Sequence, residues 1–87
     1  MDIKVTTKAV LSVESELSTT ILEVLKPATE NKGLPIKSVV TLLKHATGKT
    51  EDECIDLIET EKGLIIKVLE AYSMWVSKAF GVAEAGN

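Results

Sequence analysis

TEDECIDLIETEKGLIIKVLEAYSMWVSKAFG, residues 50–81, is the stretch whose reading decides the fold. It holds the single cysteine, the single tryptophan and all three aromatic residues of the chain. Two conformations compete for its second half. Residues 64–80 form a helix, or residues 63–76 form the β-hairpin of a winged helix. The polar residues Lys67, Glu70, Ser73, Ser77 and Lys78 recur at spacings that fall on one stripe of a helix, whereas a strand needs alternation by two. On the strand template neither face is clean, and the turn falls near Glu70 and Ala71, which lack the Gly, Asn or Asp that a two-residue turn uses for positive φ. The spacing therefore predicts a helix, with polar residues over roughly 140° and apolar ones over the remaining 220° or so at about 100° per residue. So wide an apolar arc implies a helix surrounded by its neighbours, or one with hydrocarbon left for a partner.

Upstream of Gly63, Thr50-Glu51-Asp52-Glu53 reads as a capping box, and its three carboxylates complement the positive end of a helix dipole. Cys54, Ile55, Leu57 and Ile58 are expected inward, with Gly63 breaking or bending the helix. Pro35 is tolerated in a first turn, so a further helix is expected with Ile36, Val39, Val40, Leu43 and Ala46 on one face, running through Thr47 to a stop at Gly48. Before it, Ser18 is the expected N-cap of a short helix with Ile21, Leu22 and Leu25 inward, which Pro27 should end or kink near Lys26 and Gly33 should close. A first helix runs from Thr7 with Val10, Val13 and Leu17 on one face. The expected organisation is an extended N-terminal arm at 1–6, one helical domain at 7–81 and a flexible tail at 82–87. The fold class is all-α, a small bundle of four to five short helices.

At 87 residues the chain has room for one domain, which buries only about 60–65% of the surface its unfolded chain exposes. A hydrophobic content of 45% is that of a folding chain, and no apolar run is long enough for a membrane span. No signal peptide is readable after Met1. Cys54 cannot form an internal disulfide and points to a reducing compartment. Net charge is −3 and every cation is a lysine, so the bidentate arginine chemistry usual in nucleic-acid recognition is missing.

Few residues have a pattern that carries chemistry. The carboxylates Glu51, Asp52, Glu53, Asp56 and Glu59 lie at a helix start that lacks the loop geometry of Mg²⁺ or Ca²⁺ sites. His45 and Cys54 are too few for zinc, and as a thiol–imidazole pair they lack an orienting third group. No phosphate-binding, dinucleotide-binding or metalloprotease motif is present. No enzyme, cofactor or metal is expected. Leu69, Tyr72, Trp75, Val76, Ala79 and Phe80 are the candidate partner-binding residues, because clustered aromatics on one helix make binding hot spots. Their alternative role is to fill the core.

Several runs also resemble a known family. The acidic residue after an apolar one at Val13-Glu14, the run STTIL (18–22), the helix ending LLKHATG (42–48), the cap TEDEC (50–54) and the closing apolar helix ending AFG (79–81) look like those of the tail assembly chaperones of long-tailed bacteriophages and their relatives in gene transfer agents. The resemblance covers roughly Val10 to Val82. It implies an all-α, non-enzymatic, homo-oligomeric protein of the host cell cytoplasm, absent from the mature virion. Such a protein binds the helical tape measure protein, keeps it soluble and helps recruit tail tube protein, with no nucleic acid or membrane as partner. Such chaperones are often made also as a longer frameshifted form, which here would extend from the tail after Gly81. The alternative is a winged-helix protein-interaction or DNA-binding regulator, since TTILEVLK, PIKSVVTLLKHAT and EDECIDLIETEKGLI also resemble its three helices and the entry to its wing. Against DNA, the would-be recognition helix carries five carboxylates that phosphates repel.

Overall fold

A computed structural model describes residues 2–81, so the expected tail at 82–87 lies outside the described residues. The chain forms five helices: α1 (Thr7–Leu17), α2 (Ile21–Thr29), α3 (Ile36–Thr47), α4 (Glu51–Thr60) and α5 (Leu64–Phe80). No strand occurs among the described residues. The residues assigned to a wing hairpin in the alternative reading lie in α5, a continuous 17-residue helix, which removes the wing.

α3 is the central rod, with α1, α4 and α5 packed against it and α2 lying across α1 and α5. Its Val39, Val40, Thr41, Leu42, Leu43 and Ala46 are all buried, so side chains turn inward around most of the helix. Val13 of α1, Ile21 of α2, Leu42 and Leu43 of α3, and Val68 and Tyr72 of α5 meet there with at most 1% of their surface exposed. Each such side chain stabilises the fold by about 1.5–3 kcal/mol relative to an exposed position.

Local chemistry sets the helix ends. Thr50 and Glu53 form the expected reciprocal cap of α4, and this hydrogen bonding holds the Glu53 carboxyl below its ordinary range. Gly48 ends α3 at φ 76° and Gly63 separates α4 from α5 at φ 75°, a conformation that costs a residue with a Cβ about 1–2 kcal/mol.

Four boundary assignments differ from the sequence expectation. Ser18 is not the N-cap of α2; it closes α1 in the left-handed conformation, its N–H donating to the Glu14 carbonyl, and Thr20 caps α2 instead. The side chain of Glu14 helps as well, for the Ile21 N–H donates to Glu14 Oε2 at 2.8 Å. Pro27 neither ends nor visibly breaks α2, which continues to Thr29; the missing donor leaves the carbonyl of exposed Glu23 to solvent. Gly33 is not the stop. Asn31 takes the left-handed position at φ 60°, and the Lys32 N–H donates to the Pro27 carbonyl at 2.7 Å. Pro35 is the N-cap of α3 rather than its first helical residue.

Residues 2–6 are non-helical, as expected, and lie against the chain's own core. Ile3 and Val5 pack on it while Asp2, Lys4 and Thr6 face solvent. The Lys4 N–H donates to the Ala46 carbonyl at 2.9 Å, and Thr6 caps α1 by accepting from the Ala9 N–H.

Candidate protein-binding surfaces

The geometry of α5 divides the six candidate residues. Leu64, Val68 and Tyr72 follow one another at i, i+4 and i+8 and form the buried stripe. Tyr72 is therefore a core residue and no part of an accessible surface: it is 0% exposed, and its hydroxyl donates to the Leu42 carbonyl at 2.6 Å. Burial raises its phenol well above the ordinary tyrosine range. Its ring faces α3 because position 72 points the same way as the apolar positions one and two turns before it.

Trp75 and Val76 are half-buried, and Ala79 and Phe80 are exposed. Phe80 leaves 56% of its surface to solvent while its ring meets that of Trp75 edge to face, centroids 6.1 Å apart. Such pairs add about 0.5–1.5 kcal/mol beyond area burial, enough to hold an exposed ring in place. The C-terminal end of α5 thus offers an aromatic pair fixed at its base and open at its tip.

Leu69 belongs elsewhere. It lines an open groove of about 340 Å³ with Ala28 from α2, Leu34 before α3, Ile36 and Val39 from α3, and Ile65 from α5. Lys32 and Gly33 complete the wall. Sequence reasoning missed this groove by placing Ile36 inward. Ile36 stands at the first position of α3 and is 62% exposed, lining the open groove between α2 and α5 rather than being covered by either. Leu22 and Ile55, also expected inward, are 54% and 40% exposed, while Ile21, Leu25 and Cys54 are buried and Leu57 and Ile58 half-buried. Ile66 and Met74, 63% and 54% exposed, lie among the polar residues of α5.

The polar groups form structural contacts. Glu16 of α1 receives Lys44 Nζ on Oε2 and His45 Nε2 on Oε1, each at 2.9 Å, and the Thr41 hydroxyl lies 3.3 Å from Oε2. Hydrogen bonds from His45 and Lys44 lower the Glu16 carboxyl from 4.5 to about 2. His45 is thereby directed to a carboxylate on α1, and Cys54 is buried in the core, its thiol raised by desolvation. A raised thiol is protonated and unreactive at neutral pH. Among the described residues, no three His, Cys, Asp or Glu side chains come together as a metal site, and no helix is long and apolar enough to cross a membrane.

No family model, curated protein or solved structure matches the chain. The functional reading accordingly rests on two apolar surfaces, the C-terminal end of α5 and the groove between α2, α3 and α5. The aromatic end of α5 is built from large, rigid side chains, the type that dominates binding energy. The groove is lined by aliphatic side chains with a cation at its wall.

Proposed function

We propose that the chain is a non-enzymatic tail assembly chaperone that binds a helical segment of a tape measure protein through the C-terminal end of α5. The observation that carries this reading is Phe80, an aromatic ring more than half exposed yet held against Trp75. An amphipathic client helix presents apolar side chains at i, i+3, i+4 and i+7, and a protruding aromatic pair inserts between them. The net charge of −3 keeps the complex soluble. The five helices agree with the all-α fold that the family resemblance implies, and the same resemblance supplies the tape measure protein as client, tail tube protein as a second partner, and action in the host cytoplasm before the virion is complete.

The test is co-expression of the chain with a tape measure protein from the same genome. The wild type keeps the client in the soluble fraction and co-purifies with it, while Phe80→Glu, combined with Ala79→Glu, leaves the client insoluble. A client equally soluble with both forms, or insoluble with both, overturns the reading.

A further inference from the structure

α5 carries a second pattern beside its buried stripe. Ile66, Leu69, Ser73, Val76 and Phe80 recur at alternating spacings of three and four, the a and d positions of two heptads. At about 100° per residue they fall within roughly 80° of arc, centred about 120° from the stripe of Leu64, Val68 and Tyr72. Their exposure agrees with that placement. The a positions Ile66, Ser73 and Phe80 face solvent, Ile66 with 63% and Phe80 with 56% of its surface, and the d positions Leu69 and Val76 are half-buried along the core. The seam spans roughly 21 Å at 1.5 Å per residue. Met74 is 54% exposed but lies about 120° away from it. The two edges of the seam are unlike. One holds Glu70 and Ser77, the other Ile65, Tyr72 and Ala79. Glu70 is the sole charge on either edge; it is exposed, and among the described residues it makes no ion pair.

We propose that α5 pairs with its client as one strand of a coiled coil over this seam, the client segment being a helix of two heptads with apolar a and d residues and a lysine or arginine facing Glu70. This rests on the client-binding reading and extends its surface from Phe80 back along four turns to Ile66. The d residues pack into holes of the client helix, and Leu69, which also lines the α2–α3–α5 groove, places a recess beside the seam for a larger client side chain. Ser73 stands at the central a position, where a small polar residue fixes register at a cost in affinity. A second copy of α5 is the poorer occupant. Laid antiparallel, two copies face each other with their Glu70 edges; laid parallel, the Glu70 edge faces that of Ile65, Tyr72 and Ala79. Neither arrangement offers Glu70 a cation, which a client helix with a basic residue at that edge does.

Fluorescence anisotropy of the full chain with labelled peptides of about 20 residues, tiling a tape measure protein from the same genome, tests this. The wild type binds the tiles that hold two apolar heptads. Ile66→Glu weakens binding by about tenfold or more, although it lies four turns from Phe80. Met74→Glu, comparably exposed but off the seam, binds like the wild type. Ser73→Leu binds more tightly, a gain that misfolding does not produce. Glu70→Lys binds more weakly, and changing the facing basic residue of the peptide to glutamate restores it. All four positions are exposed, so circular dichroism is expected to be unchanged. An Ile66→Glu protein that binds like the wild type, while Phe80→Glu does not, overturns the seam and leaves the client-binding reading standing. A wild type that binds no tile overturns both. Equal losses from Met74→Glu and Ile66→Glu overturn the seam, as does self-association abolished by Ile66→Glu, which gives that face to a second copy.

Discussion

The Tyr72 hydroxyl donates to the backbone carbonyl of Leu42 at 2.6 Å, a bond across 30 residues that fixes the last helix to the central one. It lets a polar tip sit at the centre of the core, and among the described residues no buried side-chain polar atom lacks a partner. Tyr72→Phe is expected to cost about 1 kcal/mol and Tyr72→Ala about 3–5 kcal/mol, read as shifts of the urea midpoint at constant m-value. A Phe variant as stable as the wild type removes the hydrogen bond from the account.

The same residue predicts an alkaline limit. Burial raises the folded-state pKa of Tyr72 above its unfolded value of 10.0, so its contribution is fully present below that pH and is lost as pH rises toward the folded value. Phenol absorbance on titration should show Tyr72, the single tyrosine, ionising together with loss of helix. Ionisation well ahead of unfolding contradicts the burial.

Glu16 sets the acid limb. Its folded-state pKa of about 2 lies below the reference 4.5, so its stabilisation is present above 4.5 and is lost as pH falls through 2. Its side chain is 33% exposed, and screening holds the effect to about 1 kcal/mol. Glu16→Gln should destabilise by that amount at pH 7 and converge with the wild type near pH 2. Parallel curves across that range exclude the clamp on Lys44 and His45.

Ser18 holds φ 54° at the end of α1 without being glycine. A left-handed residue with a Cβ costs about 1–2 kcal/mol, offset in part by the greater unfolded-chain freedom of glycine. Ser18→Gly should therefore raise stability by about 0.5–1 kcal/mol, measured by thermal or urea unfolding. A loss of stability would mean that the Ser18 side chain contributes something its backbone position does not show.

Helix existence was legible because apolar spacing and the capping chemistry at Thr50 are local. The all-α fold of four to five helices and the helical nature of residues 64–80 follow from such signals, whereas Gly63 was compatible with a break or a bend and the structure makes it a break. The boundaries around α2 were less legible, because Glu14 helps Thr20 start that helix from seven residues away from Ile21, a contact made only after α1 and α2 meet. Of the candidate site, the aromatic cluster could be found by composition, yet which ring is core depends on α3. Tyr72 faces Leu42, and Phe80 lies two turns further along and remains exposed. The groove was illegible for the same reason: periodicity marks Ile36 as apolar-facing, and only packing shows that no helix covers it.

That division of the aromatics yields the sharpest contrast. Phe80 is 56% exposed, so Phe80→Glu should change stability by no more than about 0.5 kcal/mol, apart from the loss of its edge contact with Trp75 of about 0.5–1.5 kcal/mol. Tyr72→Glu places an unpaired carboxylate in a fully buried position, and its cost of several kcal/mol is comparable with the whole stability of so small a domain. If the end of α5 is the client surface, Phe80→Glu loses client binding with its helical circular dichroism retained, whereas Tyr72→Glu loses both together. Client binding unchanged in a folded Phe80→Glu protein would move the interface away from this end of the helix, because Phe80 is the most exposed of the three aromatics on α5.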